Sequence, residues 1–192
     1  MVVITASVTV GLTLLQLSTN AFATTAFNCK NSLITDEWRE AILNLHNQNR
    51  RKVADGKQRG ESALLPKAAK MNQLQWDCAT EEIAQIEVAK CGRQALVPPP
   101  GYGTIATKMR IRGNCDPTAL TKTAIRDAWK KGAAQQASNL YDAANTKFNM
   151  MAYQDTDGIG CSYRRCSRNL YIVCFYNIEY EFLNFVVYQD TA

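Results

Sequence analysis

Residues 159–176 read IGCSYRRCSRNLYIVCFY, and this stretch decides the fold of the chain. Two runs rich in β-branched and aromatic residues flank a short polar segment, which is the pattern of a β-hairpin. If Ser167 and Arg168 form the turn, Cys161 lies directly opposite Cys174. Directly opposed Cβ atoms in an antiparallel pair are about 4.5–5.5 Å apart, which is close to the separation that a disulfide bridges.

The second strand of this hairpin is apolar on both of its faces. Tyr171, Val173 and Phe175 point away from the face that carries Cys174. Because successive side chains alternate between faces, both sides of this strand need apolar cover. The pattern therefore predicts a sheet enclosed between two helical layers.

Three stretches with helical spacing of apolar residues supply that cover. They run over residues 38–53, 76–90 and 117–129, and residues 104–112 alternate weakly as a further short strand. The predicted fold is an α/β protein built as an α-β-α sandwich, with a small, mostly antiparallel sheet and disulfide staples.

The N-terminal residues have the pattern of a secretory leader. Residues 2–17 are apolar or small, and Ala21-Phe22-Ala23 suits cleavage after Ala23. We therefore expect a signal peptide at residues 1–23 and a single domain at residues 24–192. The alternative, a membrane anchor, needs about 20 apolar residues. No later segment is apolar enough to span a bilayer, so no transmembrane anchor is predicted in the mature, extracellular protein.

The cysteine count indicates the compartment of the protein, and its charge limits the classes of partner. Seven cysteines behind a leader predict disulfides in an oxidising compartment, with one thiol left over. The net charge is +5, and local basic groups occur at residues 50–52, 108–112 and 164–168. We interpret these groups as solvated faces, with an anionic partner such as a sulfated glycan as the alternative. No aromatic stacking platforms accompany them, so no nucleic-acid partner is predicted.

The chain contains one histidine, His46, which follows Ile42 by four residues and therefore lies beside the apolar stripe of the first helix. We interpret it as a packing and hydrogen-bonding residue. A hydrolase needs a nucleophile and a base oriented by a third group. Ser32 is a poor nucleophile candidate and most cysteines are committed to bridges, so neither an enzyme nor a cofactor is predicted.

Several motifs in order resemble one known family. Residues 46–50 match an H-N-x-x-R signature, and residues 145–161 (NTKFNMMAYQDTDGIGC) resemble a degraded G-H-F-T-Q-M-V-W-x-x-T…G-C. Residues 171–176 (YIVCFY) resemble Y-V-V-C-x-Y. The chain resembles the superfamily of cysteine-rich secretory proteins, antigen 5 and pathogenesis-related proteins, which share the SCP or CAP domain. Residues 29–36 and 66–71 are similar to the activation-associated secreted proteins of parasitic nematodes.

The resemblance implies an α-β-α sandwich and a set of disulfides. By similarity the expected pairs are Cys161–Cys174, Cys78–Cys166 and Cys29–Cys91, which leaves Cys115 as the odd thiol. A pairing of Cys91 with Cys115, with Cys29 free, is the alternative. The signature residues His46, Asn47 and Arg50 are expected to have structural roles.

The resemblance implies a shallow central cleft, which in many members of the family carries two histidines and two glutamates that are able to hold a divalent metal. The matching positions here are Lys147, Gly103, Gly132 and Gln94. A lysine ammonium group has no lone pair for a metal, and glycine offers no side-chain ligand at all. The sequence therefore predicts that this cleft binds no metal.

The resemblance implies a secreted, non-enzymatic protein of the parasitic-nematode type. Its expected partner is an extracellular host protein, such as an integrin-like receptor, or a sulfated glycan, with immune or haemostatic modulation as the outcome. The alternative is a sterol- or lipid-binding protein in which Phe182 and Phe185 of the apolar tail cover a groove, although the tail also suits an added strand. A metal-dependent enzyme is the weakest hypothesis.

Overall fold

A computed structural model describes residues 26–177 and 186–191 of the chain. Its elements in chain order are α1 (Asp36–Ala54), β1 (Gln75–Trp76), α2 (Cys78–Ala89), β2 (Tyr102–Arg110), α3 (Pro117–Ala133), a 3₁₀ turn (Ala143–Asn145), α4 (Thr146–Ala152), β3 (Gly158–Cys166) and β4 (Asn169–Asn177). The signal peptide expected at residues 1–23 lies outside the described residues and stays a prediction.

The sheet is built around the hairpin of β3 and β4. These strands pair antiparallel in the predicted register, with Cys161 opposite Cys174 and Ile159 opposite Tyr176. Strand β2 pairs antiparallel with the other edge of β4, and the short β1 pairs parallel with β3, so the order is β1-β3-β4-β2. The predicted small, mostly antiparallel sheet is therefore confirmed.

Helices cover both faces of β4, as its two apolar faces require. On one face Val173 and Phe175 pack against Val88 of α2. On the other face Cys174 belongs to a larger cluster with Ile42 of α1 and with residues of α3 and α4. The α-β-α sandwich is confirmed, with the larger part of the core between the sheet and the α1, α3 and α4 layer.

Side-chain caps fix the starts of the helices. The Thr35 hydroxyl accepts a hydrogen bond from the Trp38 backbone N–H at 3.2 Å, and Asp116 caps α3 by accepting from the Ala119 N–H at 3.0 Å. Pro117 occupies the first turn of α3, where a missing N–H costs nothing. The starts of α1 and α3 therefore follow directly from the local sequence.

The disulfides of the structure differ in part from those that the resemblance implied. The structure joins Cys29 to Cys78, Cys91 to Cys166 and Cys161 to Cys174. The Cys161–Cys174 bond is the one expected from the hairpin register. The expected pairs Cys78–Cys166 and Cys29–Cys91 are wrong.

The direction of α2 explains the correction. Helix α2 runs along β3 in the same direction, because the Asp77 N–H donates to the Ile159 carbonyl near the start of both elements. Further along, the hydroxyl of Ser162 contacts the Gln85 side chain. The two ends of a 12-residue helix are about 18 Å apart, whereas bridged Cα atoms lie about 5.5–6 Å apart. The cysteine after α2 therefore meets the end of β3, and the cysteine that begins α2 meets the N-terminal segment.

Cys115 is the free cysteine among the described residues. It is partly buried beside Met109, Ile111 and Leu120, in the small cluster that also contains Leu170. The pairing of Cys91 with Cys115 that was considered as an alternative is wrong, because Cys91 is bonded to the end of β3.

The described end of the C-terminal segment packs into the core. Val187 and Tyr188 are both fully buried. The Val187 backbone donates to the Asn139 carbonyl at 2.8 Å and accepts from the Gln154 N–H at 2.9 Å. The groove-covering role considered for Phe182 and Phe185 concerns residues that lie outside the described part of the chain.

Candidate functional site

His46 is held inside the fold by two hydrogen bonds. Its Nδ1 lies 2.8 Å from the Ile42 carbonyl oxygen, and its Nε2 lies 2.8 Å from the Tyr176 hydroxyl. Because a carbonyl oxygen only accepts, Nδ1 carries the proton and Nε2 accepts from Tyr176. Burial lowers the pKa of His46 to about 4, so the ring is neutral at pH 7. Its one lone pair is occupied, and this histidine is therefore neither a free base nor a metal ligand.

Arg50 donates all of its side-chain N–H groups to backbone carbonyls. Its Nε and Nη2 atoms lie 3.0 and 2.8 Å from the Asn72 carbonyl oxygen. Nη1 lies 2.9 Å from the Met151 carbonyl oxygen and 2.8 Å from the Tyr153 carbonyl oxygen. Nη2 lies 3.1 Å from the Thr156 carbonyl oxygen. Nη2 also lies 3.4 Å from the Gln154 carbonyl oxygen. The five N–H donors of the guanidinium group therefore form six hydrogen bonds, because Nη2 has more acceptors than hydrogens and shares one N–H between two of them. Burial lowers the pKa of Arg50 to about 10, so the side chain remains a cation at neutral pH.

The signature of the first helix thus connects α1 to two other segments. Asn47 forms a two-way bond with the Leu74 backbone, donating to its carbonyl at 3.0 Å and accepting from its N–H at 2.9 Å. Arg50 holds the loop between α4 and β3. The interpretation of residues 50–52 as a solvated basic group is wrong for Arg50, which is 2% exposed. The signature provides internal hydrogen bonds and presents no reactive group.

A groove lies between α3, α4 and β2. It has a volume of about 530 Å³, and its lining includes Thr107, Asp127, Lys131, Gly132 and Lys147. Lys147 and Lys131 are both exposed. The structure therefore brings two of the four predicted cleft positions, Lys147 and Gly132, to one groove.

At Gly132 the groove leaves no room for a longer side chain. A Cβ atom built on Gly132 would overlap the Cβ of Phe148 on α4. The Phe148 ring also packs against Trp129, with 4.8 Å between the ring centroids. Helix α4 therefore approaches α3 at the position where the resemblance places a glutamate, and that glutamate is incompatible with this packing.

The other two cleft positions do not line the groove. Gly103 pairs with Tyr176, and both lie on the sheet face that also carries Ile105. This face packs against α1, α3 and α4, so Gly103 is on the same side of the sheet as Lys147 of α4. Gln94 is exposed in the loop after α2, on the opposite side of the sheet. Its assignment to the cleft is wrong, because the loop that carries it returns over the α2 face, where Leu96 packs.

The residues present do not fit the divalent metal that the family's fold implies. The groove offers the carboxylate of Asp127 beside the two ammonium groups of Lys131 and Lys147. Among the described residues, no three side chains of histidine, cysteine, aspartate or glutamate gather into a possible metal site. Zinc sites in proteins use three or four such ligands, and nearby cations repel the ion.

A narrow apolar crevice lies next to this groove. Its walls include Ile105, Ala124, Ile172 and Cys174, and Lys147 stands at its edge. The space is about 10 Å³, roughly one water molecule. Pockets for ligands of sterol size measure about 300–1,000 Å³, so this crevice accepts no lipid in the described conformation.

A buried ion pair between Arg39 and Glu81 was not predicted from the sequence. The Arg39 guanidinium contacts both Glu81 oxygens, at 2.6 and 2.8 Å, and the Trp76 indole N–H donates to the same carboxylate at 2.7 Å. The sequence does indicate that Arg39 is buried, because it precedes Ile42 by three residues and therefore shares the buried face of α1. This pair joins α1 to α2, and both of its side chains are buried away from any groove described above.

The described residues include no helix that is both long and apolar enough to cross a bilayer.

Comparisons with known proteins agree with this scaffold. The model of the cysteine-rich secretory protein (CAP) family matches residues 43–176. The chain is 32% identical over 155 residues to an Ancylostoma secreted protein from Ancylostoma caninum, which covers 79% of this chain but only 36% of that relative.

Two solved structures have the same fold. The crystal structure of Na-ASP-1 superimposes with a TM-score of 0.77 at 30% identity, over 86% of this chain and 42% of that one. A crystal structure of NaASP2 with Zn²⁺ gives a TM-score of 0.78 at 24% identity, over 85% of this chain and 90% of that one. With its motifs, its sandwich and its matching family model, this chain belongs to the cysteine-rich secretory protein (CAP) family, among relatives of the nematode secreted proteins.

Proposed function

We propose that this protein is a secreted, non-enzymatic binding protein that acts on an extracellular host protein. The observation that carries the proposal is the groove between α3, α4 and β2. Its lining includes Lys147, Lys131 and a single carboxylate, that of Asp127, and Phe148 fills the space beside Gly132. A groove of this composition suits neither a metal nor a nucleophile with its base, which leaves the outer surface as the functional part.

Secretion is supported by the cysteine chemistry and by the relatives. Three disulfides join α2, the hairpin and the N-terminal segment, and such bonds persist in oxidising compartments. The Ancylostoma relative is named a secreted protein, and another relative from Dinoponera quadriceps is named a venom allergen 3 homolog. We accordingly propose that residues 1–23 are removed as a signal peptide and that residues 24–192 form the mature domain.

A scaffold that is held together by internal hydrogen bonds suits protein recognition. The polar side chains of the first-helix signature are bonded inward, and His46 and Arg50 are buried, so they hold the fold together. Rigid elements lower the entropic cost of binding, because less of the surface has to become ordered. An integrin-like receptor ectodomain is the class of partner that we propose, with immune or haemostatic modulation as the consequence.

A panel of immobilised host receptor ectodomains, including integrins, tests this proposal. We expect the purified protein to bind at least one ectodomain saturably, and the same protein after reduction and alkylation to lose this binding. The matched control separates recognition by the folded surface from non-specific adhesion. Turnover of a hydrolase substrate, or absence of any saturable ectodomain complex, would contradict the proposal.

A further inference from the structure

Basic residues that are distant in the sequence come together at one end of the sheet. We call the following five exposed side chains the hairpin cluster: Arg93, Lys108, Arg110, Arg164 and Arg168. Arg93 follows α2, the next two lie near the end of β2, Arg164 lies late in β3, and Arg168 lies in the turn between β3 and β4. The sequence presents these residues as dispersed groups, but the fold makes them neighbours.

The strand register places part of the cluster on a single face. Lys108 of β2 and Arg164 of β3 are both paired with Tyr171 of β4, one from each side. Adjacent strands are about 4.8 Å apart, so these two cations flank Tyr171 with about 10 Å between their Cα atoms. Arg110 lies two residues further along β2, on the same face and about 7 Å away.

The loop after α2 brings Arg93 to this face. The Cys91–Cys166 disulfide fastens that loop to the end of β3. Lys108 Nζ lies 3.4 Å from the Gly92 carbonyl oxygen and 5.6 Å from the centre of the Tyr171 ring. Gly92 has a φ of +60°, and a Cβ atom there would lie 2.9 Å from Lys108 Cε. Glycine thus permits the close approach that places the loop beside the strand cations.

Carboxylates do not neutralise this cluster. None of the ion pairs among the described residues involves one of its five members. The carboxylate in the last turn of α2, Glu87, is buried and pairs with Lys90 at 2.6 Å. Asp77 and Glu81 lie at the opposite end of α2, next to the start of β3. Asp77 lies beside Ile159, which is about 17 Å from Arg164 along β3, or roughly two Debye lengths at physiological salt. Glu81 is buried and already paired with Arg39 at 2.6 Å, so neither acid neutralises the cluster.

We propose that the hairpin cluster is a binding surface for a sulfated glycan. Sulfate groups accept charge-assisted hydrogen bonds from guanidinium groups, and a linear polyanion can contact several cations that are 7–10 Å apart by the strand spacing. The aromatic ring in the cluster, Tyr171, is only 5% exposed, so it offers no stacking platform for nucleic-acid bases. This surface is separate from the protein partner proposed above and does not depend on it.

Heparin is the probe for this proposal, used with the purified full protein at about 0.15 M salt. The cluster variant R110Q/R164Q/R168Q is compared with R51Q/R59Q/R126Q, which removes three exposed arginines elsewhere and lowers the net charge equally. Thermal unfolding of both variants checks that each is folded, and K108Q provides a single-site variant if the triple variant is not. Desulfated heparin and phosphatidylserine vesicles serve as the other probes.

We expect heparin binding that weakens as salt rises, since neutralised sulfates release counterions. Three exposed ion pairs of ordinary strength together change an affinity by roughly 3- to 100-fold, and this is the expected loss in the cluster variant. The control variant should bind as the wild type does, and desulfated heparin should bind neither. Equal losses in the two triple variants, no heparin binding by the wild type, or stronger binding to the vesicles than to heparin would overturn the proposal.

Discussion

Replacing Arg50 with methionine is expected to lower the free energy of unfolding by about 3–5 kcal/mol. Methionine keeps most of the apolar stem but removes six hydrogen bonds to backbone carbonyls. Each buried carbonyl left without a donor costs about 1–3 kcal/mol, partly offset by relaxation and water entry. Because a domain has about 5–15 kcal/mol of stability in total, this loss is large. Chemical denaturation followed by tryptophan fluorescence measures it.

The neighbouring residue provides the control for this prediction. Arg51 is exposed on the same helix, so Arg51→Met should change the free energy of unfolding by no more than about 0.5 kcal/mol. Lysine at position 50 should recover only part of the loss, since an ammonium group has three donors instead of five. An Arg50→Met variant within about 1 kcal/mol of the wild type would show that Arg50 does not hold the loop between α4 and β3.

Lowering the pH from 6.5 to 4 is expected to remove about 3 kcal/mol of stability through His46 alone. Burial lowers the native pKa of His46 to about 4, whereas the unfolded chain has the ordinary value of 6.5. Between these values the unfolded state binds a proton that the native state rejects, so acidification favours unfolding. The contribution of neutral His46 to the free energy of unfolding is fully present above pH 6.5 and is lost as the pH falls towards 4.

A variant without the titrating ring isolates this contribution. His46→Gln should be less stable than the wild type at neutral pH, because the Tyr176 hydroxyl and the Ile42 carbonyl lose well-placed partners. Its free energy of unfolding should nevertheless depend less on pH between 6.5 and 4, since no group at position 46 titrates there. Urea denaturation across this range gives both slopes. Parallel pH profiles for the two proteins would mean that His46 is not the source of the acid sensitivity.

The fold could be predicted from the sequence because its central hairpin is locally determined. The alternation around Cys161 and Cys174 fixes the register, since a slip of one residue would turn every side chain to the other face. Capping residues such as Thr35 and Asp116 fix helix starts in the same local way. In each case the information lies within a few residues of the feature that it determines.

The remaining features depend on how distant elements meet. The disulfide partners of Cys78 and Cys91 follow from the direction of α2 along β3, which no local pattern records. The acceptors of Arg50 lie 22 to 106 residues away in the sequence. The close approach of Phe148 to Gly132 likewise requires two helices that are adjacent only in the folded state. Gln94 was misplaced for the same reason, because a loop after a helix can return on either side of the sheet.

The central claim is that this CAP scaffold works through its surface and without a metal in its groove. Zinc titration calorimetry on the purified, metal-free protein tests this claim most directly. Two lysines, one aspartate and a glycine packed against Phe148 surround the groove, and the lone pair of His46 is already in use. We predict no saturable heat above that of buffer. A saturable signal with one zinc ion per chain that Asp127→Asn abolishes would contradict the account.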